Sequence, residues 1–120
     1  MLETAVRETR EEVGIGADRI GLVGSLPPLW TITGYWVTPV VGFLKSTVES
    51  VQLRLNTDEI ARAFWVPIPI LQKPGVYRVE FKQVGTVQFP IHVYQVGEDR
   101  IWGATGAMIK NFLDRIEALR

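Results

Sequence analysis

Near its start the chain reads Arg7-Glu8-Thr9-Arg10-Glu11-Glu12-Val13-Gly14-Ile15, and this stretch decides the fold. The carboxylates Glu8, Glu11 and Glu12 are spaced i, i+3 and i+4, so they share one face if the stretch is helical. Gly14 follows as a helix stop. Carboxylate oxygens are the ligands that Mg²⁺ prefers, so a helix with this spacing can hold a divalent cation. The alternative interpretation is a solvated acidic helix face.

The residues around this stretch predict an amphipathic helix over 2–13. Apolar or methyl-bearing side chains recur at helical spacing, namely Leu2, Ala5, Val6, Thr9 and Val13. Arg7 and Glu11 are four positions apart and can form an ion pair. Neighbouring carboxylates repel one another when no cation is bound, and Arg7 offsets part of that repulsion.

Beyond this helix, the sequence predicts strands followed by a second helix. Strands are expected over 20–26, 35–44, 77–84 and 87–96, and Gly85 joins the last two into a hairpin. The strongest strand pattern is 35–44, a nearly continuous apolar run typical of a strand covered on both faces, in which Pro39 implies a bulge or an edge position. Alternation over 77–82 predicts a strand with one buried face.

The remaining segments are expected to be short or irregular. They are a short strand at 51–55, a turn at 57–59, extended chain over 60–66 before Pro67, and a short helix or connection over 70–75. A helix over 105–119 presents one apolar face, formed by Met108, Ile109, Phe112, Leu113, Ile116 and Leu119. This order of elements predicts an α+β fold, in which helices cover a sheet, in a single domain over 1–120.

Composition excludes several classes of function. Of the 120 residues 47% are apolar, and thirteen basic residues balance thirteen acidic ones, so neither nucleic acid nor a membrane is expected as a partner. The absence of cysteine from the sequence excludes disulfides, thiolate zinc sites and cysteine nucleophiles. No apolar run reaches the length of about eighteen residues that a spanning helix requires.

Residues 7–15 resemble the second half of the Nudix box, G-x5-E-x7-R-E-U-x-E-E-x-G-U, where U is a bulky apolar residue. Thr9 is a minor departure, because its methyl group can still pack. The resemblance implies that Glu8, Glu11 and Glu12 bind the metal, Mg²⁺ or Mn²⁺, and that Arg7 orients them. It also implies that Glu8, Glu11 and Arg7 take part in catalysis, with Glu8 or another acid as the base.

Three later blocks, 26–43, 58–67 and 101–109, look similar to the coenzyme A diphosphatase branch of that family. This resemblance implies an α/β/α sandwich with a mixed sheet, and hydrolysis of the diphosphate of coenzyme A or its thioesters. The products would be adenosine 3′,5′-bisphosphate and a phosphopantetheine species. The alternatives are a Nudix hydrolase of another nucleoside diphosphate derivative, such as an ADP-sugar or dinucleotide, and a catalytically silent module that binds nucleotides or a partner protein.

By the box pattern, the first glutamate of the box falls two positions before Met1. We therefore expect the chain to begin inside the box, to lack the N-terminal strands of the family, and to be impaired or inactive by itself. Exposed sheet edges would then favour a homodimer or aggregation. A cytoplasmic location is expected.

Other residues are candidates for substrate contact. Trp30, Tyr35 and Trp36 can stack on an adenine ring, with core packing or loop anchoring as the alternative. Lys73, Arg78 and Lys82 can meet a 3′-phosphate, although surface cations are common.

Four further positions have two interpretations each. Glu59 is a candidate further catalytic acid or a structural residue of its turn, and Asp58 suits an N-cap or the turn itself. His92, the only histidine, suits a structural role or substrate contact better than metal ligation. Residues 103–106 open the last helix, where free N–H groups can bind an anion, although helix entry explains them equally well.

Overall fold

The computed structural model describes residues 2–31, 34–60 and 62–119. Its contacts group the chain into two compact units: Met1–Ser25 with Val40–Trp65, and Leu26–Pro39 with Val66–Arg120. The expectation of a single domain stays a prediction. Among the described residues, no helix has the length and apolar character that crossing a membrane requires.

The elements of the described residues form helices and small antiparallel sheets. The helices are α1 (Leu2–Val13), α2 (Ile68–Leu71) and α3 (Gly103–Ala118). The strands are β1 (Ile20–Ser25), β2 (Leu29–Trp30), β3 (Trp36–Val37), β4 (Val40–Leu44), β5 (Tyr77–Val84), β6 (Val87–Val96) and β7 (Asp99–Ile101). β1 pairs with β4, β2 pairs with β3, and β5, β6 and β7 form a three-stranded sheet in that order. The α+β fold class is confirmed, although the strand pairs of the described residues are all antiparallel and do not form the expected mixed sheet.

The prediction of one strand over 35–44 is wrong. β3 ends at Val37 and β4 begins at Val40, with the buried Pro39 between them. The Pro39 carbonyl accepts a hydrogen bond from the Leu26 N–H at 2.9 Å, while the proline itself has no N–H for a ladder. The chain therefore changes strand partner at the proline. The prediction that both faces of this strand are covered is wrong as well, because Phe43 is 54% exposed.

The hairpin of β5 and β6 has the predicted bounds. Its register runs from Tyr77 opposite Tyr94 to Val84 opposite Val87, and Gly85 turns the chain at a φ of +61°. The expected buried face is wrong for the outer half of β5, where Phe81 is 66% exposed. The physical reason is that the core cluster lies at the end of the hairpin away from its turn, where Tyr77 is opposite Tyr94. Of this face of β5, only Tyr77 packs against the cluster.

The core of the second unit lies between α3 and the end of the β5–β6 hairpin away from its turn. Leu71, Tyr94 and Leu113 are its buried members, and Ile109, Phe112 and Ile116 of α3 pack against them. The predicted apolar face of this helix is thereby confirmed for Ile109, Phe112, Leu113 and Ile116. Met108 is half-buried, and Leu119, just past the end of α3, is 88% exposed.

Gly106 sets the approach of α3 to the sheet. A Cβ at this position would overlap the carbonyl oxygen of His92 and lie 3.4 Å from the carbonyl oxygen of Ile101. The helix backbone therefore lies directly against β6, which only glycine permits.

The shorter segments differ in part from their predictions. No strand forms over the described residues 51–55, whereas the turn over 57–59 is confirmed. The predicted helix or connection at 70–75 is a helix that begins earlier, at Ile68, directly after Pro67. Residues 62–67 have no regular secondary structure, and Ala61 of the predicted extended segment lies outside the described residues.

Tyr94 makes the stability of the second unit dependent on pH. Burial raises the pKa of its phenol from 10.0 to about 12. Because the folded state holds this proton more tightly than the unfolded chain does, the stabilisation is complete below pH 10 and is lost as pH rises through about 12. We expect the free energy of unfolding, measured with urea, to fall across this range. Tyr94→Phe should flatten that fall, and equal slopes in both proteins would contradict the assignment.

Candidate functional site

The three acidic residues singled out from the sequence all lie on α1 in the first unit. Glu8 and Glu11 are exposed, and Glu12 is half-buried. The predicted ion pair forms between Arg7 Nε and Glu11 Oε1 at 3.7 Å. Because both side chains are more than half exposed, this pair contributes little to stability, and Glu11 keeps its access to solvent.

The carboxylates on α1 are of the type that a hard divalent cation takes, but Glu8, Glu11 and Glu12 do not form a three-ligand group. Among the described residues, no three acidic or histidine side chains are arranged to hold one metal ion together. Mg²⁺ usually takes one or two protein carboxylates and keeps several waters. Glu8 and Glu12, one helical turn apart, supply two such carboxylates. The assignment of metal ligands stays a prediction.

The end of α1 requires glycine for two reasons. Gly14 has a φ of +79°, a conformation that side chains with a Cβ rarely adopt. A Cβ there would also lie 2.9 Å from the Cβ of Arg54 and 3.1 Å from its backbone nitrogen. The predicted C-cap is confirmed, and its second cause is the close passage of residue 54.

Residues 54–56 hold the carboxyl end of the acidic helix through their backbone. The N–H of Arg54 donates to the Val13 carbonyl, and the N–H of Asn56 donates to the Glu12 carbonyl, each at 2.9 Å. The last carbonyls of a helix have no partner within it, and these bonds supply one. The orientation of the acidic face is therefore tied to residues 54–56.

Asn56 also builds the turn that carries Glu59. Its Oδ1 accepts the Asp58 N–H at 3.2 Å, and its carbonyl accepts the N–H groups of Glu59 at 3.0 Å and Ile60 at 2.7 Å. One residue thus bonds to α1 and organises the turn. Sequence reasoning missed Asn56, although Asn before Thr-Asp-Glu is a recognised signal for such a turn.

The inner side of α1 borders open apolar space. Two cavities of about 310 Å³ and 220 Å³ lie beside the helix, and Val6 and Leu22 line both. No residue of α1, all of which are described, is buried. Thr9 lines the smaller cavity and its hydroxyl donates to the Ala5 carbonyl at 2.8 Å, so its polar group is satisfied within the helix.

The aromatic candidates lie in the second unit. Trp30 and Trp36 are opposite each other on β2 and β3, and their rings meet edge to face with centroids 5.0 Å apart. Both rings and Tyr35 are exposed, so the core-packing alternative is wrong. The contact of the tryptophans joins the two short strands, which agrees with loop anchoring. Stacking on adenine stays a prediction.

His92 has a structural partner within its sheet. Its Nδ1 lies 2.7 Å from the hydroxyl oxygen of Tyr77, and the two rings stack with centroids 5.9 Å apart. This agrees with the structural interpretation of the histidine. At the start of α3, the N–H of Gly106 donates to the Trp102 carbonyl at 3.3 Å, so this amide serves helix entry.

Of the three cations proposed for a 3′-phosphate, Arg78 is engaged in an ion pair. Its Nε lies 2.7 Å from Glu80, and Arg100 lies 2.6 Å from the same carboxylate. The hydrogen bonds from these two guanidinium groups hold the pKa of Glu80 below its usual value. Lys73 and Lys82 are exposed. Their contact with phosphate stays a prediction.

Comparison with known proteins decides the family. The model of the NUDIX domain matches residues 1–83, which include α1 and the turn with Glu59. The chain belongs to the Nudix family. The resemblance of the chain to the Nudix family is thereby confirmed. Nudix proteins are hydrolases that generally use divalent metal ions and act on small nucleoside diphosphate derivatives.

Several Nudix relatives match over nearly the whole chain. It is 30% identical to the uncharacterized Nudix hydrolase NudL of Yersinia enterocolitica, over 97% of this chain and 58% of that protein. It is 32% identical to NudL of Pectobacterium atrosepticum, over 91% of this chain and 55% of that protein. Nudix hydrolase 3 of Caenorhabditis elegans is 29% identical, over 92% of this chain and 52% of that protein. The chain thus spans little more than half the length of these curated relatives.

Proposed function

We propose that this chain carries the metal-binding helix of a diphosphatase that hydrolyses the diphosphate linkage of coenzyme A or its thioesters. The observation that supports it best is α1, which presents Glu8, Glu11 and Glu12 in the Nudix register on a helix whose carboxyl end is held by residues 54–56. The choice of coenzyme A rests on the similarity of 26–43, 58–67 and 101–109 to the coenzyme A diphosphatase branch.

Glu8 and Glu12, with Glu11 beside them, would hold the cation, Mg²⁺ or Mn²⁺. When bound, such an ion neutralises the charge of the diphosphate and acidifies water. Arg7 contributes by its ion pair with Glu11, which limits the positions of that carboxylate and lowers the repulsion along the helix.

Two acids are candidates for the base that takes the proton of the attacking water. Glu8 is one, because it is exposed on the acidic helix. Glu59 is the other, because the Asn56 turn ties its backbone to the carboxyl end of α1. Replacing each by Gln and comparing the pH–rate profiles would separate them, since the acidic limb should disappear only when the base is lost.

The proposal is tested by coenzyme A hydrolysis with Mg²⁺ or Mn²⁺, in this chain and in one extended upstream through the same reading frame. We expect adenosine 3′,5′-bisphosphate and a phosphopantetheine species from the extended chain, and little or no product from this chain alone. Faster cleavage of an ADP-sugar or dinucleotide would overturn the substrate. Silence towards all of them, with no thermal stabilisation by either metal, would leave a binding module.

Two further expectations accompany this proposal. A homodimer formed through exposed strand edges and a cytoplasmic location both stay predictions. The low net charge of the sequence agrees with self-association, because little electrostatic repulsion opposes it.

A further inference from the structure

One side of α3 forms a wall of an open groove in the second unit. Its residues follow helical spacing, namely Ala107, Lys110, Asn111, Asp114, Arg115 and Ala118, and Leu29 and His92 complete the lining. The groove has a volume of about 430 Å³, within the range of roughly 300–1,000 Å³ that small-molecule sites occupy. We refer to it as the α3 groove. It contains none of the acidic residues proposed to bind the metal.

Lys110 is held in place before any ligand arrives. Its Nζ lies 2.9 Å from Asp114 Oδ1 and 4.6 Å from the centre of the Tyr77 ring. The hydrogen bond with Asp114 raises the pKa of Lys110, so the ammonium stays charged. Only 35% of its side chain is exposed. A cation that is already ordered loses less conformational entropy when it binds an anion.

Arg115 provides a second ordered cation on the same wall. Its Nε donates to Asn111 Oδ1 at 2.9 Å, which fixes the plane of the guanidinium. The two terminal nitrogens of that group present a fork that matches the oxygens of a phosphate. Lys110 and Arg115 bring two positive charges to the lining and Asp114 one negative charge, and Glu117 acts on Lys110 from outside the lining.

The position of His92, which lines the groove from β6, is set by a backbone contact. Gly106 brings α3 against the carbonyl of His92, which sets the spacing between the helix and β6. Tyr77 holds the His92 ring at Nδ1, so the ring lines the groove in a defined orientation. Ala107 and Ala118 also line the groove, and their side chains are small.

We propose that the α3 groove binds the phosphate group of a small molecule between Lys110 and Arg115. The groove brings two hydrogen-bonded cations and a polar ring to one open volume, whereas Lys45 lies exposed on the surface of the first unit. The phosphate could belong to free inorganic phosphate or to an organic phosphomonoester, since both present the same oxygens.

The test is a titration of the protein with inorganic phosphate, followed by amide nitrogen–proton NMR spectra, with sodium chloride at equal ionic strength as the reference. We expect saturable shifts confined to the amides around Ala107, Asn111 and Arg115. Lys110→Met and Arg115→Gln should each weaken binding about tenfold or more, the loss typical of a charge-assisted hydrogen bond. Lys45→Met is the matched control and should leave binding unchanged.

Ala118→Glu provides an independent variant that removes no existing contact. It adds a negative charge at the end of the groove and should also abolish the saturable shifts. A second titration with glycerol 3-phosphate distinguishes the sources: tighter binding than inorganic phosphate identifies an organic phosphate, and equal binding identifies free phosphate. Shifts that do not saturate, or that Lys45→Met weakens as much as Lys110→Met does, would overturn the proposal.

Discussion

In the upstream-extended chain, replacing Glu12 by Gln is expected to lower the Mn²⁺-dependent rate of coenzyme A hydrolysis about 100-fold or more. Glutamine keeps the length and the hydrogen-bonding oxygen of the side chain but removes its charge. Glu8→Gln should have an effect of the same order, because Glu8 lies one turn away on the same helix. Glu3→Gln is the matched control, since Glu3 lies in the first turn of α1 outside the acidic triplet.

Metal binding gives a readout that does not depend on turnover. A cation that binds only the folded state at 100 times its dissociation constant stabilises it by about 2.7 kcal/mol. We expect Mn²⁺ to raise the melting temperature of the unaltered chain and of Glu3→Gln, but much less that of Glu8→Gln or Glu12→Gln. If the two substituted chains were stabilised as strongly as the unaltered one, α1 would not be the metal-binding helix.

Replacing Gly106 by Ala is expected to lower the free energy of unfolding by roughly 3 kcal/mol. The added methyl group would overlap the carbonyl oxygen of His92 and lie 3.1 Å from its carbonyl carbon. These are backbone atoms of a central strand, so they cannot rotate away as the end of a flexible side chain would. The sign of the change is informative, because Gly→Ala inside a helix normally stabilises by about 1 kcal/mol.

Urea unfolding of Gly106→Ala beside Ala107→Gly measures this effect. The second substitution changes the adjacent position of α3 without adding a methyl group, so it should cost only about 1 kcal/mol of helix propensity. A more stable Gly106→Ala chain would mean that α3 does not lie directly against β6.

Elements defined by local patterns could be predicted from the sequence. The bounds of α1 and of the β5–β6 hairpin are as expected, because a helical period and a turn glycine are written within a few consecutive residues. The prediction of one strand over 35–44 was wrong because an apolar run favours extended chain but does not specify which strand it pairs with. The partner changes at Pro39, and that choice depends on Leu26 and β1, which are distant in sequence.

The candidate site shows the same division. The spacing of the acids on α1 and the stop at Gly14 follow from consecutive residues. The hydrogen bond from Asn56 to Glu12 could not be predicted from the sequence, because it joins a backbone N–H and a carbonyl that nearly every residue type possesses. The exposure of Phe81 could not be predicted from the sequence either, since it depends on how far the core packed against α3 extends along the hairpin.

The hydrogen bonds from residues 54–56 to α1 affect the order in which the elements of the protein fold. These bonds join the two ends of a long segment that contains β1, β2, β3 and β4, and the entropy of closing such a loop must be overcome before the bonds can form. The early turns of α1 need only their own neighbours. During synthesis on a ribosome, the carboxyl end of the acidic helix therefore stays unfinished until residue 56 has emerged.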